Sequence, residues 1–145
     1  MKLSIILLLG LLCFGKSESL KLIKATSYKW SSGVQGLRGT KYNFVFIAGQ
    51  SSEELTIENV WVGNQNLDFK AFKFGENAQY RDFEKNDTIL ISCESVINSK
   101  INQENRIEKP VPKYKGVALI VYQIGKKEKS FVIDKITSSN QHKYQ

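Results

Sequence analysis

The chain has 145 residues, 41% hydrophobic and 24% charged, with 21 Lys and Arg against 14 Asp and Glu. Length and hydrophobic fraction fit one globular domain and exclude an intrinsically disordered chain. Two cysteines exclude a disulfide-dense scaffold, and a single histidine, His142, excludes most sites built on imidazole.

The N-terminus carries the clearest signal. Lys2 supplies a short positive region, Leu3 to Phe14 form an apolar run, and Cys13 and Gly15 occupy the small-residue positions of a cleavage site. A membrane span needs about 20 apolar residues, so this run is too short to be one. Residues 1–15 therefore read as a cleaved secretory signal, and 16–145 as a single domain whose end, 137–145, is a polar tail. A lipid anchor on Cys13 is disfavoured, because such processing prefers a small residue before the cysteine and Leu12 stands there. Removing the signal lowers the charge from +7 to +6. No other stretch approaches spanning length, so the mature chain is expected to have no transmembrane segment and to be exported, secreted or periplasmic.

Beyond the signal, alternation with period two predicts strands almost throughout. Leu20 to Trp30 places Leu20, Leu22, Thr26, Tyr28 and Trp30 on one face. Ser31 to Gly39 reads as a turn or bulge with Gly33, Gly36 and Gly39 at every third position; a phosphate loop would need a following helix, and a strand follows instead. Thr40 to Ala48 sets Tyr42, Phe44, Phe46 and Ala48 against Lys41, Asn43, Val45 and Ile47. Glu54 to Val62 aligns Leu55, Ile57 and Trp61, a turn follows at Gly63 to Asn66, and Leu67 to Phe74 begins another strand.

A helical turn is expected, if anywhere, in Glu76 to Glu84 or Ser95 to Glu108; the latter reads as a crossing loop that leaves through Pro110 and Pro112. Thr88 to Cys93 is a strand in which Cys93 alternates with Ile89 and Ile91 as a small buried hydrophobe. Gly116 to Ile124 is nearly all apolar, which predicts a central strand covered on both faces. Gly125 to Glu128 then turns into a last strand within Ser130 to Ile136. Seven or eight short strands with almost no helix predict an all-β fold, a single immunoglobulin-like β-sandwich of antiparallel strands, with a small β-barrel as the alternative.

Few residues suggest chemistry. Asp82, Glu84 and Asp87 cluster, but in a polar setting interleaved with Arg81 and Lys85, which reads as solvated loop charge. One histidine near the chain end offers no base for a serine nucleophile, and no zinc ligand set exists, so no catalytic residue, cofactor or metal is expected. After the signal, Lys outnumbers Arg by 17 to 3, whereas nucleic-acid readers favour the bidentate Arg fork. An anionic cell-surface polymer, a glycan or another envelope protein is the expected partner, and nucleic acid is not. Trp30 and Tyr28, with Arg38 nearby, are the candidate ligand contacts, and an exposed coplanar pair of Trp30 and Trp61 would favour a carbohydrate-binding module. Trp61 otherwise reads as core. Asn86-Asp87-Thr88 is an N-glycosylation sequon, meaningful only on a eukaryotic secretory route. Signal plus strands resembles the small exported β-sandwich proteins of bacteria, a resemblance that assigns no residue a function. The expected function is that of an exported, non-enzymatic binding or structural module at or beyond the cell envelope.

Overall fold

The computed structural model describes residues 18–33, 37–77, 81–97 and 109–139. The signal segment, Gly36, His142 and most of the expected crossing loop lie outside them. The described residues form strands and loops without a helix: β1 Leu20–Ser31, β2 Arg38–Ala48, β3 Leu55–Val62, β4 Gln65–Leu67, β5 Phe69–Lys73, β6 Thr88–Ile97, β7 Ala118–Ile124, β8 Lys127–Ile133 and β9 Thr137–Ser138. Ser95 to Ile97, expected in the crossing loop, continue β6, and the described parts of Glu76 to Glu84 are loop.

These strands make two sheets, one of five strands in the order β5-β6-β2-β1-β9 and one of four in the order β4-β3-β7-β8. The chain crosses between them after β2, β4, β6 and β8, and no ladder joins the two among the described residues. The fold is thus all-β, two sheets packed face to face, and not a closed barrel.

The core lies between the sheets. Phe44, Phe46, Ile89 and Ile91 from the five-stranded sheet meet Leu55, Val60, Ile120 and Ile133 from the other, each with 1% exposure or less. Phe46 and the β8 residue Phe131 meet edge to face across the gap, ring centroids 5.2 Å apart. Fully burying each such side chain stabilises the fold by roughly 1.5–3 kcal/mol. Phe83, in the loop before β6, is buried as well, and its backbone exchanges hydrogen bonds with Ser52.

β7 is the expected central strand. It lies between β3 and β8, with Ala118 to Tyr122 all buried; Ile120 and Tyr122 face the main core, and Leu119 and Val121 the other side. It turns into β8 through Gly125 and Lys126, with Ile124 opposite Lys127. Gly125 has a φ of 58°, a left-handed conformation that two-residue hairpin turns favour and that costs glycine little.

Two bulges alter the expected faces. In β1 the register shifts between Leu22 and Lys24, so Ile23 is an extra residue, 53% exposed. Leu20 and Leu22 sit opposite Ala48 and Phe46 and point inward, but past the bulge the inward position passes to Ala25, opposite Phe44. Tyr28 and Trp30 therefore lie on the outer face, not with Leu20 and Leu22. In β3 the shift between Ile57 and Asn59 removes Trp61 from the row of Leu55 and Ile57 in the same way. An extra residue reverses the alternation downstream of it. In the polar tail, Thr137 and Ser138 pair with Thr26 and Ser27 as a short parallel strand, and the Ser139 N–H donates to the Ser27 carbonyl at 2.8 Å.

Candidate functional site

The outer faces of the two sheets are built differently. On the four-stranded sheet, the β3 bulge brings Trp61 beside Leu119 and Val121, and Tyr114 packs against this second cluster. The Tyr114 hydroxyl donates to the Gly63 carbonyl at 2.7 Å, and burial raises its pKa. Lys109 Nζ and Asn66 Nδ2 both donate to Asn59 Oδ1, at 2.9 and 3.0 Å. The segment entering β7 thus covers this face with the chain's own residues. Val111 to Gly116 and the turn Gly63-Asn64 line an open, shallow cleft there, with Lys113 and Lys115 exposed.

The outer face of the five-stranded sheet carries no such cover among the described residues. Register places Phe72, Leu90 and Val45 in one row that ends at Lys24. The next row runs through Thr88 and Ile47 to Lys21, and Phe74 joins it by donating its N–H to the Thr88 carbonyl at 2.8 Å. Phe74 is 55% exposed. On the other side of this apolar band come Lys70, Ser92, Asn43 and Thr26, then Glu94, Lys41 and Tyr28. Asn43 Oδ1 accepts from the Ser92 hydroxyl at 3.0 Å.

Trp30 sits at the far end of the same face, opposite Gly39. A methyl group on Gly39 would fall 2.8 Å from the indole and 2.6 Å from the Ser95 carbonyl oxygen, so the ring lies against bare backbone. Gly39 belongs to β2 and not to the turn, and it is the glycine that Trp30 requires. The indole nitrogen is buried and has no hydrogen-bond partner among the described residues.

Of the sequence-derived ligand contacts, the structure brings Tyr28 and Trp30 to one face and leaves Arg38 on the opposite one, exposed and across from Ser31 and Ile97. Trp61 is only 5% exposed and belongs to the other sheet, so the expected alternative of a coplanar tryptophan pair does not form. The turn at Ser31 to Gly39 is closed by the Ser32 N–H donating to the Leu37 carbonyl at 2.9 Å.

The acidic group is structural in its contacts. Asp82 and Glu84 are exposed, while Asp87 Oδ2 accepts the Glu84 N–H at 2.9 Å and pairs with Lys73 at 3.3 Å. These partners, the backbone donor first, hold the Asp87 carboxyl below its usual pKa. Cys93 is buried, and desolvation pushes its thiol up to about 12. Asn86, the sequon residue, is exposed in the turn before β6 with a φ of 71°. Among the described residues no helix is long and apolar enough to cross a membrane.

The apolar band was missed at the sequence level, although a signal existed. Val45 and Ile47 stand on the face opposite Phe44 and Phe46, where a solvent-facing strand would carry polar side chains. Compared with known proteins, the chain matches no family model, no curated protein and no solved structure.

Proposed function

We propose that this protein is an exported, non-enzymatic binding module of the immunoglobulin-like class, acting at or beyond the cell envelope. One observation carries the reading: Tyr114 covers the outer face of the four-stranded sheet, while among the described residues nothing comparable covers the half-buried apolar band on the other, from which Phe74 and Ile23 stand exposed. Contiguous exposed apolar surface on a small domain marks a contact site, since leaving it in water is unfavourable. The strand order supports the class. Lettered A to G along the chain, with C′ for β4, the two sheets read D-E-B-A and C′-C-F-G, the immunoglobulin arrangement, with β9 added beside A. Export rests on the N-terminal pattern of Lys2, the apolar run and Gly15.

N-terminal sequencing of secreted or periplasmic material should begin near Lys16. A chain starting at a lipid-modified Cys13 makes it a tethered form, and an intact Met1 confined to soluble cell extract overturns export. Binding is tested on isolated envelopes, which should retain the protein and release the double variant Ile23→Ser, Phe74→Ser.

A second reading, a carbohydrate-binding module, is favoured by Trp30 and Tyr28 sharing that same open face. A flat indole backed by glycine can stack on a sugar ring. Glycan-array binding that Trp30→Ala abolishes would establish it.

A further inference from the structure

We propose that the open face of the five-stranded sheet docks on an anionic lipid surface, an inference that rests on the binding-module reading above and names its partner. The face has two parts that a membrane interface would engage separately. The apolar part is the band of Phe72, Leu90, Val45 and Ile47, with Phe74 and Ile23 protruding at 55% and 53% exposure. The charged part is Lys21 and Lys24 at the ends of the two apolar rows, with Lys70 and Lys41 beyond; Glu94, between Lys41 and β5, is the acid on these rows. Interfacial binding grows with buried apolar area and with attraction between basic side chains and anionic headgroups. Lysine suits such a rim, because its stem lies along apolar surface while the ammonium reaches for a phosphate.

The same charges decide against a second copy as the occupant. A two-fold dimer through this face would bring Lys21, Lys24, Lys41 and Lys70 of both molecules into one interface, with Glu94 the acid on those rows of each. Protruding apolar side chains set beside lysines favour a lipid surface over a soluble acidic protein, because an interface takes up both at once. Ile23 and Phe74 enter the acyl boundary while Lys21 and Lys24 meet headgroup phosphates.

The test uses mature protein from the exported fraction, which retains every described strand and both apolar clusters. Flotation with vesicles of phosphatidylglycerol and phosphatidylcholine should show binding, and vesicles of phosphatidylcholine alone should bind at least about tenfold more weakly. Lys21→Glu with Lys24→Glu should lower anionic-vesicle binding by more than about tenfold, and Ile23→Ser with Phe74→Ser by a similar factor. All four residues are exposed, so unchanged urea midpoints will show that the variants fold. Lys127→Glu makes the same kind of charge change on the other sheet and should leave binding intact. Equal binding to neutral vesicles, equal loss with Lys127→Glu, or indifference to Ile23→Ser with Phe74→Ser each overturns the proposal. So does a dimer in sedimentation that the apolar substitutions dissociate. Failure on vesicles by a protein recovered outside the cell and retained on envelopes removes the lipid claim alone. Failure of export removes the parent reading too.

Discussion

At Cys93 a single side chain couples burial to reactivity. The thiol lies among Ile91, Tyr42 and Phe69, and loss of water holds it protonated up to about 12. The thiolate is the nucleophile, so the native protein should react with a thiol reagent at pH 8 only as fast as it opens, and at once in urea. A fast native reaction would place Cys93 in water. The pH effect has a definite sign: the raised folded-state pKa gives stability that is complete below the unfolded value of about 9 and is lost as pH rises towards 12. Asp87 acts in the opposite direction. Its depressed carboxyl gives stability that is complete above the unfolded value of 3.8 and is lost as pH falls through the lower folded value. Asp87→Asn should therefore lose stability at neutral pH and little in strong acid, read by urea unfolding at the two pH values. On β7, Leu119 and Ile120 point to opposite sides and both are buried. Each truncation to Ala should cost about 2–5 kcal/mol in urea unfolding, against less than about 0.5 kcal/mol for Lys127→Ala on the exposed hairpin. If either core variant is as mild as Lys127→Ala, the two-sided burial of the strand is wrong.

At the scale of the element, the second cluster shows what a bulge does to a strand. Trp61 lies on the outer face of its sheet, yet Trp61→Ala should cost about 3–5 kcal/mol, as for a core aromatic, because Tyr114 closes over it with Leu119 and Val121. Tyr114→Phe keeps the cover and removes the hydrogen bond to Gly63, for a smaller loss of about 0.5–1.5 kcal/mol. Urea unfolding of the two variants separates packing from hydrogen bonding; equal losses would show that the cover is held by its polar contact alone. The strands themselves were legible in the sequence, since alternation and β-branched density depend on local pattern. The unbroken apolar run of β7 even gave its two-sided burial. What alternation cannot carry past an extra residue is parity, and both tryptophans lie downstream of a bulge. Ile23 and Glu58 look ordinary in sequence; their displacement follows from pairing with strands elsewhere in the chain. The candidate site was less legible for a related reason. Lys21, Lys24, Ile47, Leu90 and Phe72 come from four strands, and only register sets them side by side.

For the whole molecule, the same two-layer build predicts a graded resistance to opening. β7 is hydrogen-bonded on both edges and covered on both faces, so exposing its amides requires separating the sheets and lifting the segment that carries Tyr114. β9 is a two-residue strand with both side chains exposed, at the free edge of the five-stranded sheet. β4 is three residues long at the edge of the other, held to β3 alone. Native proteins open locally at such edges for little free energy, and only globally at elements like β7. Amide hydrogen exchange measured with rising urea below the transition should therefore divide the chain. Amides of Leu119 to Tyr122 should exchange slowest, with a urea slope equal to that of global unfolding, because they become exposed only with the whole surface. Those of Thr137 to Ser139 should exchange fast and independently of urea, since their opening uncovers almost no new surface. Truncation before Thr137 should leave the β7 rates nearly unchanged, while Leu119→Ala should accelerate them by the factor that its loss of unfolding free energy dictates. Urea-independent exchange at β7 would mean that the strand opens by a local route, which burial on two faces and pairing on two edges does not permit.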